Sequence, residues 1–121
     1  MIKNISLQKH LKTLLFSLSV VSLTPSIAYS RPAKIWTAWQ GTNLNARNCI
    51  ERAELAVRNT GYSSNLEIFG GGSPTAGVYG ESGEYSVTVR CGTNAGIVFF
   101  VTAGPDAGIA SNELNTLIQN F

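Results

Sequence analysis

Glu84-Tyr85-Ser86-Val87-Thr88-Val89-Arg90-Cys91, followed by Gly92-Thr93-Asn94-Ala95-Gly96 and then Ile97-Val98-Phe99-Phe100-Val101, is the stretch on which the fold turns. Its first eight residues alternate strictly. Tyr85, Val87, Val89 and Cys91 fall on one side; Glu84, Ser86, Thr88 and Arg90 fall on the other. Period-two alternation in β-branched and aromatic residues predicts a half-buried strand, one face on a core and one on water. Gly92 to Gly96 supplies the residues that accept positive φ in a reversal. Ile97 to Val101 is apolar at every position, the pattern of a strand buried on both faces. The two strands of this expected β-hairpin therefore disagree about the second face, and the disagreement bears on function.

Working outward, the chain of 121 residues is long enough for one small domain. Its first thirty residues have the form of an export leader. Lys3, Lys9 and Lys12 make a basic start, Thr13 to Leu23 is an apolar run, Pro25 interrupts it, and Ala28-Tyr29-Ser30 offers small residues for cleavage. The apolar run is about half the ~20 residues a membrane span requires. The sequence thus predicts a signal peptide over 1–30 and a single domain over 31–121, exported to the periplasm or outside the cell, with no membrane span in the mature form.

Removing the leader changes the charge. The full chain has nine Lys and Arg against seven Asp and Glu; without Lys3, Lys9 and Lys12, six basic residues face seven acidic ones and the net charge is −1. Such a chain has no basic footprint for nucleic acid and no polybasic stripe for anionic lipid. Both cysteines, Cys49 and Cys91, lie beyond the leader. In an exported chain an even cysteine count reads as a disulfide. It would close a loop of roughly 40 residues, worth about 4 kcal/mol in the chain-entropy treatment. Two free thiols or a bridge between chains are the alternatives.

Ala33 to Gln40 reads as a first strand, with Trp36 and Trp39 three apart and so on opposite faces. Asn43 or Asn45 is suited to cap a helix, and Cys49, Ile50, Ala53, Ala56 and Val57 lie on one helical face. Asn59-Thr60-Gly61 ends that helix, with Gly61 suited to the left-handed position after the cap. Leu66 to Phe69 is a short strand, Gly70 to Gly77 a loop, and Val78-Tyr79 the start of another strand that reverses at Glu81-Ser82-Gly83. After Gly104-Pro105-Asp106, a second amphipathic face is formed by Ala110, Leu114, Leu117, Ile118 and Phe121. The expectation is an α+β domain: a mostly antiparallel sheet of four to five strands, both helices on one face, one disulfide. Because bridged Cα atoms lie within ~7 Å, the first strand and the Cys91 strand should point the same way.

Tyr85 to Cys91, with Val98 to Val101, Ala103-Gly104-Pro105 and an upstream helix bearing Cys49, is similar to small exported bacterial proteins of no assigned function, with a β-α-β-β-β-α layout and one disulfide. The resemblance covers most of the expected mature chain. It implies the layout and no activity.

The sole histidine, His10, lies in the leader. Histidine-dependent nucleophilic catalysis and histidine metal sites are therefore not expected. Gly80-Glu81-Ser82-Gly83 lacks the spacing of a nucleophile elbow, and Gly70-Gly71-Gly72 lacks the Lys of a phosphate loop. No catalytic residue, metal ligand or cofactor is assigned. What remains is a non-enzymatic module that binds a protein or envelope partner, or itself, through an apolar sheet face. The candidate residues are Trp36, Trp39, Phe99, Phe100 and Arg90: Arg90, one of the two phenylalanines (the turn length deciding which) and one of the two tryptophans share that face. The alternative is a small cofactor-free hydrolase acting on cell-wall or sugar substrates through Glu81, Glu84 and Arg90.

Overall fold

A computed structural model describes residues 32–121, so the leader expected over 1–30 lies outside the described residues. Strand β1 (Lys34–Gly41) is followed by helix α1 (Ala46–Asn59), strands β2 (Ser64–Phe69), β3 (Gly77–Ser82) and β4 (Tyr85–Gly92), a single 3-10 turn (Thr93–Ala95), strand β5 (Ile97–Gly104) and helix α2 (Ala107–Asn120). The five strands form one sheet in the order β1-β5-β4-β3-β2, each antiparallel to its neighbours. The fold is α+β. β1 and β2 are adjacent in sequence yet occupy opposite edges. Helix α1 carries the chain across the sheet, and β2 to β5 return strand by strand until β5 pairs with β1. Two strands apart in an antiparallel sheet, β1 and β4 run in the same direction.

The helices form for local reasons. Asn45 is the cap of α1, its side-chain oxygen accepting from the Asn48 N–H at 2.8 Å. At the other end the Tyr62 N–H donates to the Val57 carbonyl and the Gly61 N–H to the Arg58 carbonyl, with Gly61 at φ 95°. That is the paired C-terminal closure a left-handed glycine permits. Asp106 caps α2 by accepting from Ile109 N–H at 2.9 Å. Thr102, buried on β5, donates its hydroxyl to the Ala110 carbonyl and ties α2 to the sheet.

Both helices contribute to one core. Cys49, Ala53, Ala56 and Val57 of α1 and Leu114 and Leu117 of α2 pack with Val78, Val87, Val89, Cys91, Val98 and Phe100 from the sheet. Cys49 and Cys91 form a disulfide with Cα atoms 6.2 Å apart, fixing the first turn of α1 over the end of β4. Gly80 lies where the Tyr62 carbonyl crosses the sheet; a Cβ there would collide with that carbonyl and press on Val57 Cγ1 at 2.7 Å. The close approach of the α1–β2 connection therefore requires glycine.

β5 corrects the sequence reading. It extends to Gly104, and only one of its faces is buried. Val98, Phe100 and Thr102 are enclosed, whereas Phe99 is 42% exposed. The apolar run predicted burial on both sides, but both helices lie on one side and, among the described residues, no layer covers the other.

Candidate open sheet face

The register across the five strands determines which side chains meet on the open face. Gly92 pairs with Ile97, so four residues connect β4 to β5. That length sets Val98 and Phe100 opposite Cys91 and Val89 on the helical side, and Phe99 opposite Arg90 on the open side. Phe100 is buried in the core, its ring edge-on to Phe121 at 5.4 Å between centroids. It therefore belongs to the core and not to a contact surface. Trp36 is opposite Thr102 and so on the helical side, while Trp39 is opposite Phe99 on the open side. Trp36 likewise leaves the set of open-face residues, although it is 44% exposed at the edge of the sheet.

One row runs across the whole open face. Trp39 pairs with Phe99, Phe99 with Arg90, Arg90 with Gly77 and Gly77 with Phe69. Trp39 is 67% exposed, the most exposed of the large apolar side chains among the described residues. The Phe69 ring fills the space over Gly77. The Arg90 guanidinium carbon stands 5.8 Å from the Phe69 centroid, within range of a cation–π contact. Arg90 Nε donates to the Thr75 carbonyl at 3.1 Å, which fixes the stem and tethers the glycine-rich connection. Among the described residues no carboxylate lies within salt-bridge distance of Arg90; the ion pairs are Arg47–Glu51 and Arg58–Glu54, both on α1. Phe69 was not singled out from the sequence. Its position becomes visible only once Gly77 is known to lie between it and Arg90.

The sheet face changes character along the strands. On β1 and β5 it continues through Thr37, Val101, Ile35 and Ala103, an apolar half. On β2 and β3 it carries Glu67, Tyr79 and Glu81, an acidic half. There Glu81 accepts from the Tyr79 hydroxyl at 2.5 Å and from Asn65 Nδ2 at 2.8 Å. These bonds, the one from Tyr79 foremost, hold the Glu81 carboxyl below its ordinary pKa. In return, the bond to Glu81 raises Tyr79, with desolvation adding to it. A shallow open depression of about 420 Å³ lies over these residues, lined by Asn65, Leu66, Glu67, Tyr79 and Glu81. A second, of about 480 Å³, lies between Asn45 at the start of α1 and Gly72 and Pro74 of the glycine-rich connection.

Glu81 and Glu84 do not share a setting. Glu81 is on β3, hydrogen-bonded and ionised, whereas Glu84 is in the two-residue turn between Ser82 and Tyr85, where Gly83 has φ 58°. Glu84 and Arg90 are six residues apart along an extended strand, about 20 Å. Among the described residues no three His, Cys, Asp or Glu side chains are grouped to hold a metal ion. Nor, among the described residues, is any helix long and apolar enough to cross a membrane.

No protein-family model matches this chain, and neither the curated proteins nor the solved structures yield a match.

Proposed function

We propose that this protein is a non-enzymatic binding module, exported from the cell, whose contact surface for a protein partner is the helix-free face of its sheet. The observation that carries this reading is the row Trp39–Phe99–Arg90–Phe69. A rigid strand pair presents two large exposed aromatic side chains beside an arginine that has no acidic partner among the described residues. Aromatic and arginine side chains dominate the energetics of protein contacts, and a contiguous exposed apolar patch marks an interaction surface. Side chains fixed on strands also lose little conformational freedom on binding. Export is supported by the leader-like sequence over 1–30 and is compatible with the Cys49–Cys91 disulfide.

The hydrolase alternative has weaker support. A general acid needs a raised pKa, and the hydrogen bonds to Glu81 act in the opposite direction. Passing an envelope extract over immobilised protein (residues 31–121) tests the binding reading. Retention of a discrete protein by the parent, lost on Arg90→Ala, is expected. Turnover of a sugar substrate that disappears on Glu84→Gln would favour the hydrolase instead.

A further inference from the structure

The two edges of the sheet are built differently. β2 is short and irregular: its register against β3 shifts between Ser64 and Glu67, and Asn65 there has φ 48°. A bulge of this kind blunts an edge against pairing with another chain. β1 has no such protection. Lys34 to Gly41 pairs residue for residue with Gly104 to Ile97, without a shift or a proline, and its one charge is Lys34 at its first position. Among the described residues no strand pairs with its outer edge.

The exposed side chains of β1 lie on both faces. Ile35 (64% exposed) and Trp39 point to the open face, and Trp36 points to the helical face. A ligand lying on either face would leave the other set in water. A strand added to the edge covers both sets and satisfies the unpaired N–H and C=O groups along the backbone.

We propose that the added strand is β1 of a second copy of this chain, paired antiparallel about a two-fold axis at Thr37 and normal to the sheet. Residues directly opposite in an antiparallel pair point to the same face. Centred on Thr37, the pairing sets Ile35 opposite Trp39 of the second copy on the open face, twice over. It also sets Trp36 opposite the small Ala38 of the second copy on the helical face. Lys34 falls opposite Gln40, so no like charges meet. Centred on Ala38 instead, the same strand would place Trp36 opposite Gln40 and Trp39 opposite Thr37, and would leave Ile35 facing Gly41. Of these two registers, the one centred on Thr37 matches apolar with apolar on both faces. Helix α2 packs on both β1 and β5, so the two-fold brings the two copies of α2 side by side. The sheet becomes a ten-stranded one whose open faces are continuous, which leaves the Phe69–Arg90–Phe99 part of each row free for a partner. Two Trp and one Ile per copy, 44% to 67% exposed, offer about 800 Å² in total when fully covered, which is at the weak end of protein–protein contacts. The dimer is accordingly weak and concentration-dependent. This inference rests on the edge of β1 and not on the open-face reading.

Sedimentation equilibrium of the protein over residues 31–121, which include the core side chains of the described residues, tests it. The parent is expected to pass from monomer to dimer as concentration rises. Thr37 is exposed, so Thr37→Lys leaves the monomer folded but sets two ammonium groups opposite each other on the axis. It is expected to weaken the dimer about tenfold. Thr37→Cys should give a disulfide-linked dimer on mild oxidation, since directly opposite Cα atoms lie within bridging distance; Ala38→Cys, offset by two residues, should not. Phe99→Ser should leave the dimer intact even if it abolishes partner binding. A parent that stays monomeric at every concentration would overturn the proposal, as would a dimer indifferent to Thr37→Lys or one cross-linked through Ala38→Cys in preference to Thr37→Cys. A monomer whose retention of an envelope protein survives Phe99→Ser but is lost on Thr37→Lys would overturn it too, assigning the edge to a strand of that other protein.

Discussion

The ring of Phe69, on one edge strand, occupies the space that a side chain on Gly77 would need, and there it lies within cation–π range of Arg90. The aromatic residue and the glycine are cross-strand partners, so the glycine is what lets the ring lie flat against the sheet. Gly77→Val should displace Phe69, remove the Arg90 contact and cost about 1–3 kcal/mol, the usual range for overpacking. Phe69→Ala in the same chain should recover only part of this, because a Cβ at position 77 also meets the Val89 carbonyl at 2.8 Å. Urea unfolding of the two single variants and the double variant measures the coupling; strict additivity would show that the ring does not depend on the glycine.

The Cys49–Cys91 disulfide spans 42 residues and joins α1 to β4. Replacing both cysteines by alanine should lower the unfolding free energy by about 4 kcal/mol, most of it through the greater freedom of the unfolded chain. The measurement is chemical denaturation of the parent and the double variant. A loss well under 1 kcal/mol would mean that packing alone holds α1 in place.

Phe99 and Phe100 are neighbours with opposite duties. Phe100→Ala empties part of the core and should cost about 3–5 kcal/mol, while Phe99→Ser, on the open face, should change stability by less than about 1 kcal/mol. Thermal melts of the two variants check this. Equal losses would show that the open face is covered in solution.

Tyr62, buried in the connection between α1 and β2, has its pKa pushed up from 10.0 to about 12, first by loss of hydration and then by the charge of Glu113. Its proton is held more tightly in the folded state than in the unfolded one. Its contribution to stability is therefore complete below pH 10 and declines as pH rises from 10 towards 12. Tyr62→Phe should flatten this part of the stability–pH curve. An unchanged alkaline slope would show that Tyr62 ionises normally.

Much of the fold was legible in the sequence because its signals are local. The alternation from Tyr85 to Cys91 and the Gly61 stop depend on residues a few positions apart and lie where the pattern predicted; the cap is Asn45, one of the two asparagines the pattern allowed. The cysteine pair added one long-range constraint, that β1 and β4 run in the same direction, and the strand order satisfies it. The burial of β5 was not legible, since an apolar run states what a strand tolerates and not what covers it. Nor could the sequence choose between Phe99 and Phe100. That choice depends on the four residues between Gly92 and Ile97 and on how the 3-10 turn Thr93–Ala95 uses them. Trp36 and Trp39 were correctly expected on opposite faces, but that both lie on an open edge follows only from α1 carrying the chain to the far side of the sheet. Phe69 was missed because the residue between it and Arg90 is a glycine, which reads in sequence as part of a loop.

Retention of envelope proteins on immobilised parent, on Arg90→Ser/Phe99→Ser, and on Leu55→Ser, which removes an exposed apolar side chain from α1 instead, tests whether the helix-free face of the sheet is a contact surface. The parent and Leu55→Ser are expected to retain the same protein, and the double open-face variant, equally well folded by circular dichroism, is expected not to. Equal retention by all three, or retention lost only on Leu55→Ser, would contradict a contact role for that face.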